Sequence, residues 1–394
     1  MKPIIIVGAG LAGYTVAREF RKLDKETPLI MITADGGGFY SKPMLSNAFA
    51  QNKEAQQLIT QAATQMAEQL NATLMTNVTV NGVDTQAKKI DTSSGVYEYD
   101  KLVLAVGAQP IRLDIKGDGA HRVLSVNHID DYAAFREELR SSKNASPVRV
   151  AILGAGLIGC EFADDLAGAG HAVTLIDPSA RALSALAAPA LSAGLQAALG
   201  TRGVQFRLNT VAESVVQADT DLRVELADGS TVEADVVLSA VGLRPDLRLA
   251  HAAQLKTNRG IVIDAAGQTS APDVYALGDC AEYAFPDGAT RTLPYIAPIM
   301  TAGRAIARTL TGERTEIDLK PSPVLIKTPS YPLALIAPAP HLVAEGKWQD
   351  EVVNGKTVCR FYEAGGAMAG FGVSPHDNAI RQELLGALGK KTGE

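Results

Sequence analysis

Two copies of one glycine pattern constrain this chain more than any other feature. The first, PIIIVGAGLAGYTVAREFRKLDKETPLIMITAD, spans residues 3–35, and the second, VRVAILGAGLIGCEFADDLAGAGHAVTLID, spans residues 148–177. Each copy starts with a short apolar run typical of a buried parallel strand and continues into glycines spaced GxGxxG. Each then ends on an acid after a second apolar run. Both copies therefore predict a strand, a glycine turn, a helix and a second strand.

The three glycines of such a turn have separate roles. In the first copy Gly8 permits the tight turn, Gly10 lets the backbone approach a pyrophosphate, and Gly13 lets the helix pack closely on the strand. The phosphates would then lie at the N-terminus of the helix, where N–H groups and the helix dipole favour negative charge. The first copy predicts cofactor-binding residues in the turn and at the end of the second strand, namely Gly8, Ala9, Gly10, Leu11, Ala12, Gly13, Thr33, Ala34 and Asp35. The second copy predicts Gly154, Gly156, Gly159 and Asp177.

A single GxGxxG is as often an ordinary glycine turn, but two complete copies make coincidence a weak alternative. We call each of these strand–turn–helix–strand copies a cradle, the first at residues 3–35 and the second at residues 148–177. Two cradles imply two bound dinucleotides. Asp177 bears on the choice of coenzyme, because a carboxylate there accepts hydrogen bonds from a ribose 2′-OH and repels a 2′-phosphate. This favours NADH over NADPH. The nearby Arg181 leaves the alternative open, since an arginine could partly accommodate that phosphate.

A second pattern is also repeated. Residues 99–110, YDKLVLAVGAQP, and residues 234–245, ADVVLSAVGLRP, each follow one cradle and read as a buried strand that ends in a glycine turn. Gly107 and Gly242 would let the chain leave the sheet near a bound cofactor. Plain strand exits would explain either run alone but not the repetition. The two halves therefore look like duplicated nucleotide-binding units.

Other segments predict further elements around the first cradle. Residues 269–280 form a strand that closes on Gly278 and Asp279, an acid placed to bind the sugar-like chain of a ligand. Residues 294–308 predict a helix with Ala297 in its first turn, whose positive end would stabilise negative charge. Val78 lies where a returning strand could place its backbone against adenine. Single helices are also predicted over 55–70 and, interrupted near a proline, over 182–199.

The C-terminal part has a different character. From residue 321 onwards short apolar runs suggest antiparallel strands, and residues 378–388 suggest a helical tail. This predicts a third, smaller α+β domain of ordinary size.

Composition excludes several classes of function. The net charge is −6, which argues against a nucleic-acid surface, because phosphate binding needs basic stripes. The three cysteines are widely separated and odd in number, so we expect no disulfide framework and a cytoplasmic location. No apolar stretch approaches the roughly 18–20 residues of a membrane span, so no membrane insertion is expected. The six histidines show no metal-ligand spacing, and we predict no metal.

The motifs taken together resemble the FAD-dependent, two-dinucleotide flavoprotein reductases over the whole chain. The runs YSKPMLSN, LVLAVGAQPIRL, AILGAGLIGCEFADDL, VYALGDCAE and PVLIKTP are most similar to the rubredoxin–NAD(+) reductase group of alkane-degrading bacteria. The resemblance implies an α/β fold with two Rossmann-like domains and a small C-terminal α+β domain. It places the FAD-binding domain at 1–112 and 245–320, an inserted NAD-binding domain at 113–244, and an interface domain at 321–394.

The resemblance also implies roles for individual residues. FAD would be held by the first cradle together with Lys42, Val78, Asp279, Ala297 and Lys327, and NADH by the second cradle. Lys42 and Glu161 would be catalytic and would meet beside the flavin. Two plainer interpretations remain open, because Lys42 before a proline is often a solvated turn residue and the pair could be a structural salt bridge.

The positions of the cysteines limit the classes of redox reaction that the chain could catalyse. No CxxC or CxxxxC occurs, and Cys160 on a helix beside Gly159 is more typical of packing than of a redox thiol. Electrons would then leave directly from FAD, which accepts a hydride and releases electrons singly. The resemblance implies rubredoxin, an acidic electron-carrier protein, as the partner and alkane hydroxylation as the process served. A ferredoxin or flavorubredoxin reductase is one alternative, and a flavin-bound, NADH-responsive interaction protein is another.

Docking of an acidic carrier on an acidic chain would need local positive charge. The candidate cations are Arg304, Arg308, Lys320 and Lys327. Ordinary solvated surface charge is the alternative for each of them.

Overall fold

The computed structural model describes residues 1–142, 147–219, 221–285 and 288–391. Its strands in chain order are β1 (Ile4–Val7), β2 (Leu29–Ile32), β3 (Phe39–Tyr40), β4 (Ile59–Gln61), β5 (Thr73–Met75), β6 (Val80–Asp84), β7 (Lys89–Thr92), β8 (Gly95–Glu98), β9 (Lys101–Leu104), β10 (Ala108–Pro110), β11 (Val123–Leu124), β12 (Arg149–Leu153), β13 (Ala172–Asp177), β14 (Gln205–Leu208), β15 (Ala212–Ala218), β16 (Asp221–Leu226), β17 (Thr231–Ala234), β18 (Val236–Ser239), β19 (Leu243–Pro245), β20 (Ile261–Val262), β21 (Val274–Ala276), β22 (Ala281–Ala284), β23 (Thr290–Thr292), β24 (Val324–Ile326), β25 (Leu333–Ile336), β26 (Lys347–Val353), β27 (Lys356–Tyr362) and β28 (Met368–Ser374). Its α-helices are α1 (Leu11–Leu23), α2 (Ala55–Leu58), α3 (Ala63–Leu70), α4 (Ile129–Ser141), α5 (Leu157–Gly168), α6 (Pro189–Thr201), α7 (Arg248–Ala252), α8 (Ile296–Leu310) and α9 (Asn378–Ala387).

The first of two compact units comprises residues 1–42, 56–109 and 243–320. Its centre is a five-stranded parallel sheet in the order β21-β9-β1-β2-β5. All four residues of β1 are buried, as expected for a parallel strand covered on both faces. Helices α1 and α8 cross closely, because a Cβ on Gly303 would lie 2.6 Å from Cγ2 of Thr15. The first cradle thus belongs to a parallel α/β sheet.

The second unit comprises residues 43–55, 110–242 and 321–394. It contains a second five-stranded parallel sheet, in the order β11-β18-β12-β13-β14, and the three-stranded meander β15-β16-β17. It also contains an antiparallel sheet, in the order β24-β25-β28-β27-β26. Helix α9 packs beside that sheet and begins at Asp377, whose side chain accepts hydrogen bonds from the backbone N–H groups of Ala379 and Ile380.

The predicted fold class is confirmed in its main parts. Both cradles form the predicted strand, turn, helix and strand, and the C-terminal part forms an antiparallel sheet followed by a helix. The proposed boundaries of three domains stay a prediction. None of the described helices is long and apolar enough to cross a membrane.

Two predicted helices are wrong in extent. The helix predicted over 55–70 is divided by β4, which pairs with β3 and contains the β-branched pair Ile59 and Thr60. The helix predicted over 182–199 begins only at Pro189, because proline fits the first turn of a helix and disrupts its interior.

Candidate dinucleotide-binding sites

The three glycines of the first cradle differ in the space around them. Gly8 has a φ of +107°, and a Cβ there would lie 2.2 Å from the carbonyl oxygen of Ala105. A Cβ on Gly13 would lie 1.9 Å from the carbonyl oxygen of Gly8, so that position holds the helix against the turn. A Cβ on Gly10 would meet no protein atom within 4 Å. The protein therefore requires glycine at two of the positions for packing, while Gly10 faces space that a pyrophosphate can fill.

The acid that follows β2 is held by its neighbours. Thr33 Oγ1 donates to Oδ1 of Asp35 at 2.8 Å, and the backbone N–H of Gly37 donates to the same oxygen at 2.9 Å. Oδ2 takes part in neither bond and can accept from a ribose hydroxyl. The backbone N–H of Val78 donates to the carbonyl oxygen of Thr33 at 2.9 Å, so a backbone contact with adenine has to use the carbonyl oxygen of Val78.

Four further predicted residues belong to the first unit, and two of them, Gly278 and Asp279, lie by the N-terminus of α1. A Cβ on Gly278 would lie 3.0 Å from Cβ of Ala12, which places the second acidic motif against the first cradle. Burial raises the pKa of the adjoining Asp279 above its ordinary value, and the positive charge of Lys42 partly opposes that shift. Ala297 is exposed in the first turn of α8. Lys42 thus has an electrostatic partner in Asp279, which the sequence did not predict.

The second cradle repeats the geometry of the first. A Cβ on Gly154 would lie 2.7 Å from the carbonyl oxygen of Ala240, one on Gly159 would lie 1.9 Å from that of Gly154, and one on Gly156 would meet nothing within 4 Å. Gly107 and Gly242 both have a positive φ, of +72° and +107°, where the chain leaves its strand.

Asp177 is the last residue of β13 and holds the second glycine turn. Its Oδ2 accepts from the backbone N–H of Ala155 at 2.7 Å, and its Oδ1 accepts from that of Ser179 at 2.8 Å. The guanidinium of Arg181 donates to the carbonyl oxygen of Ser184 at 3.4 Å. The acid that bears on coenzyme choice therefore also braces the turn.

Glu161 lies on α5, two residues after Gly159 of the second cradle, and is only 2% exposed. Ser46 Oγ donates to its Oε2 at 2.5 Å, and the backbone N–H of Lys327 donates to its Oε1 at 2.8 Å. Burial raises the pKa of Glu161, whereas these bonds and the positive charge of Lys327 lower it. Lys42 belongs to the other unit, and its predicted meeting with Glu161 stays a prediction.

Two more acids of α5 were missed by sequence reasoning. Asp165 accepts from the backbone N–H groups of Phe49 at 2.7 Å and Ala50 at 3.0 Å. Asp164 is fully buried and accepts from the backbone N–H of Ser330 at 2.9 Å. The sequence does contain a pattern that could have predicted these contacts, namely ExxDD inside an otherwise apolar helix. Acids in such a helix are expected to be buried, and buried carboxylates need hydrogen-bond partners.

All three cysteines are fully buried and none is paired in a disulfide. Burial raises the pKa of the Cys160, Cys280 and Cys359 thiols to about 12. Since the thiolate is the reactive form, burial disfavours redox chemistry at these side chains. Cys160 is buried on α5, as a packing residue would be, and the absence of a redox role stays a prediction.

The predicted docking cations differ in their surroundings. Arg308 lies 3.5 Å from Glu313, and Lys320 lies 3.3 Å from Asp318, so each has an acidic neighbour. Lys327 is half-buried and donates from Nζ to the carbonyl oxygen of Pro43 at 3.2 Å. Arg304 is exposed on α8. Among the described residues, no group of three His, Cys, Asp or Glu side chains could hold a metal ion.

Comparison with known proteins decides the family. Residues 2–307 match the model of the pyridine nucleotide-disulphide oxidoreductases. The chain belongs to this family. Residues 316–388 match the model of the rubredoxin binding C-terminal domain. The protein is therefore an oxidoreductase. The family name refers to disulphides, but the three cysteines of this chain are buried and form no disulfide.

Relatives of this family member confirm the resemblance. The rubredoxin-NAD(+) reductase of Alcanivorax borkumensis is 44% identical over 385 residues, which cover 98% of this chain and 97% of that protein. The nitric oxide reductase FlRd-NAD(+) reductase of Vibrio vulnificus strain CMCP6 is 36% identical over 94% of each chain. The reductase in the covalent putidaredoxin reductase–putidaredoxin complex has a TM-score of 0.87 at 24% identity, over 98% of this chain and 94% of that one, and shows the fold alone.

Proposed function

We propose that this oxidoreductase takes a hydride from NADH bound at the second cradle and passes electrons to rubredoxin by way of FAD bound at the first. One observation carries the proposal, namely two complete dinucleotide cradles in a chain whose three thiols are all buried and unpaired. A protein with two dinucleotides and no reactive thiol has to hand electrons directly from one cofactor to an outside acceptor.

The residues present fit FAD at the first cradle. The space beside Gly10, the unoccupied Oδ2 of Asp35 and the N-terminus of α1 together suit an adenosine diphosphate moiety. Asp279 lies next to this cradle and suits the hydroxyls of the ribityl chain. When bound, FAD would supply hydride acceptance and single-electron release.

The remaining residues bind and orient. Lys42 places a positive charge near Asp279, and that charge would stabilise negative charge on the ring system. Glu161, held by Ser46 and Lys327, would orient the nicotinamide. Ala297 and the N-terminus of α8 would favour an anionic ring edge. Val78 and Lys327 would complete the FAD site, and Gly107 and Gly242 would let the chain clear the cofactors.

The partner is proposed from the C-terminal match and the relatives. A rubredoxin binding domain over residues 316–388 and 44% identity to rubredoxin-NAD(+) reductases favour rubredoxin. The 36% identity to FlRd-NAD(+) reductases favours a flavorubredoxin as the second candidate. Service to alkane hydroxylation and a cytoplasmic location stay predictions.

The test is the stoichiometry of the complete reaction. The purified protein should show flavin absorbance, and NADH should bleach it in the absence of oxygen. Because a hydride carries two electrons and rubredoxin takes one, each NADH should reduce about two rubredoxin molecules. Bleaching by NADH with no rubredoxin reduction would overturn the proposed partner, and no bleaching would overturn the proposed function.

A further inference from the structure

The carboxylate of Glu161 has both oxygens committed to donors from two distant segments of its own unit. Ser46 Oγ donates to Oε2 at 2.5 Å, and the backbone N–H of Lys327 donates to Oε1 at 2.8 Å. Asn47 Nδ2 lies 3.5 Å from Oε2. Since each oxygen has its own donor, rotation of the carboxylate would break these bonds. Its orientation is therefore fixed.

A carboxylate that is 2% exposed stays ionised only with compensation. The charged groups that act on Glu161 are Lys327, whose positive charge favours the ionised form, and Asp165, whose negative charge on the same helix disfavours it. Lys327 is itself half-buried, and burial lowers its pKa while Glu161 raises it. The hydrogen bonds from Ser46 and from the backbone of Lys327 supply direct compensation for the Glu161 carboxylate.

The two donors are delivered by fixed segments. Asp165, one turn further along α5, holds the backbone N–H groups of Phe49 and Ala50, just after Ser46. Asp164 holds the backbone N–H of Ser330, just after Lys327. Neighbouring acids of one helix thus anchor both segments whose donors meet at Glu161.

We propose that Ser46 and Lys327 are positioning residues, which hold the Glu161 carboxylate ionised and in one orientation for the incoming nicotinamide. The inference rests on the proposed function, in which Glu161 orients that ring. It gives Lys327 a task separate from any contact with FAD: its backbone N–H binds Glu161, and its ammonium, bonded to the carbonyl oxygen of Pro43, holds the segment that carries Ser46.

The main test measures the rate of flavin bleaching by NADH as a function of pH in three variants. On the acidic side of the profile, the acidic limb, the rate falls as a carboxylate becomes protonated. Lys327→Met should shift the midpoint of this limb to a pH higher by about one unit, because loss of a nearby cation raises the pKa of a carboxylate. Ser46→Ala should move it in the same direction, because it removes a bond to the ionised form. Lys327→Arg should restore the wild-type profile.

The matched control is Lys256→Met, which removes an exposed lysine of the other unit and should leave the profile unchanged. KM for NADH should stay constant in the Lys327 and Ser46 variants, since Gly156 and Asp177 are untouched. A wild-type flavin that NADH does not bleach would overturn the proposed function. A wild type that is bleached, but whose acidic limb does not move in Lys327→Met or Ser46→Ala, would overturn only the positioning roles.

A second measurement does not depend on activity. Thermal unfolding of Ser46→Ala, Glu161→Gln and the double variant forms a double-mutant cycle on the protein as purified. If Ser46 and Glu161 are coupled, the loss in Tm of the double variant is smaller than the sum of the two single losses. Strictly additive losses would contradict the coupling.

Discussion

At the scale of single residues, Asp177 serves two parts of the second cradle. Its two carboxylate oxygens hold Ala155 in the glycine turn and Ser179 after the strand. A ribose that binds there has to share these oxygens with the backbone. We therefore expect coenzyme preference and the shape of the turn to be linked through this one side chain.

This linkage predicts the outcome of Asp177→Ala. Loss of hydrogen bonds to a charged group costs about 1.5–3 kcal/mol, so kcat/KM for NADH should fall roughly tenfold to a hundredfold. NADPH should not become the better substrate, because the turn has lost its brace and Arg181 is bonded to Ser184. Steady-state kinetics with both coenzymes measure this. Efficient use of NADPH by the variant would show that Asp177 acts only by repulsion.

The three thiols give a second prediction at this scale. With pKa values near 12, Cys160, Cys280 and Cys359 should not react with a thiol reagent at pH 8 in the native protein, and all three should react after denaturation. Replacement of Cys160 by alanine should leave rubredoxin reduction intact. A thiol that titrates rapidly in the native state, or loss of electron transfer in that variant, would argue for a thiol in the redox path.

At the scale of elements, each cradle separates packing from ligand binding. Gly13 and Gly159 keep a helix against its glycine turn, whereas Gly10 and Gly156 face open space. Substitutions at these two kinds of position should therefore fail in different ways.

Gly10→Ala should leave the unfolding free energy of the apoprotein within about 0.5 kcal/mol of wild type, because the new Cβ meets no protein atom. It should abolish FAD binding, because that Cβ occupies the space for the pyrophosphate. Gly13→Ala should instead destabilise the apoprotein by about 1–3 kcal/mol through overpacking. Denaturant unfolding and flavin absorbance distinguish the two.

Gly156→Ala is the matched variant in the second cradle. It should retain FAD and raise KM for NADH on the order of tenfold or more, which is a loss of at least about 1.4 kcal/mol of binding. Loss of FAD in this variant would mean that the two cradles are not assigned to the dinucleotides as proposed.

Elements also show how far the sequence could be read. The cradles were predictable because glycine spacing, apolar strands and terminal acids all lie within about thirty residues of chain. The partners of Glu161 were not, because Ser46 and Lys327 lie 115 and 166 residues away and nothing local specifies such contacts. The prediction of a single helix over 55–70 was wrong for the same reason, because β4 forms by pairing with β3 and local sequence does not specify that pairing.

At the scale of the whole molecule, charge bears on the encounter with the carrier. The chain has a net charge of −6, and an acidic carrier would approach it against repulsion unless local cations compensate. Of the four candidates, Arg308 and Lys320 have acidic neighbours, and the ammonium of Lys327 donates to the carbonyl oxygen of Pro43. Arg304, which is exposed on α8, is therefore the candidate that we favour for contact with an acidic carrier.

Arg304→Gln should therefore slow rubredoxin reduction at low salt and leave bleaching of the flavin by NADH unchanged. The difference from wild type should vanish at high salt, where exposed charges are screened. Arg308→Gln should have a smaller effect, because Glu313 already offsets its charge. Carrier reduction that is insensitive to salt in the wild type would rule out electrostatic docking.

The central claim is that electrons pass from NADH through FAD to rubredoxin without a thiol. Anaerobic stopped-flow tests it most directly, by bleaching the flavin with NADH and then mixing the protein with oxidised rubredoxin or, separately, with a ferredoxin. The account predicts rapid recovery of flavin absorbance with rubredoxin and slow recovery with ferredoxin. Recovery with ferredoxin alone, or with neither carrier, would contradict it.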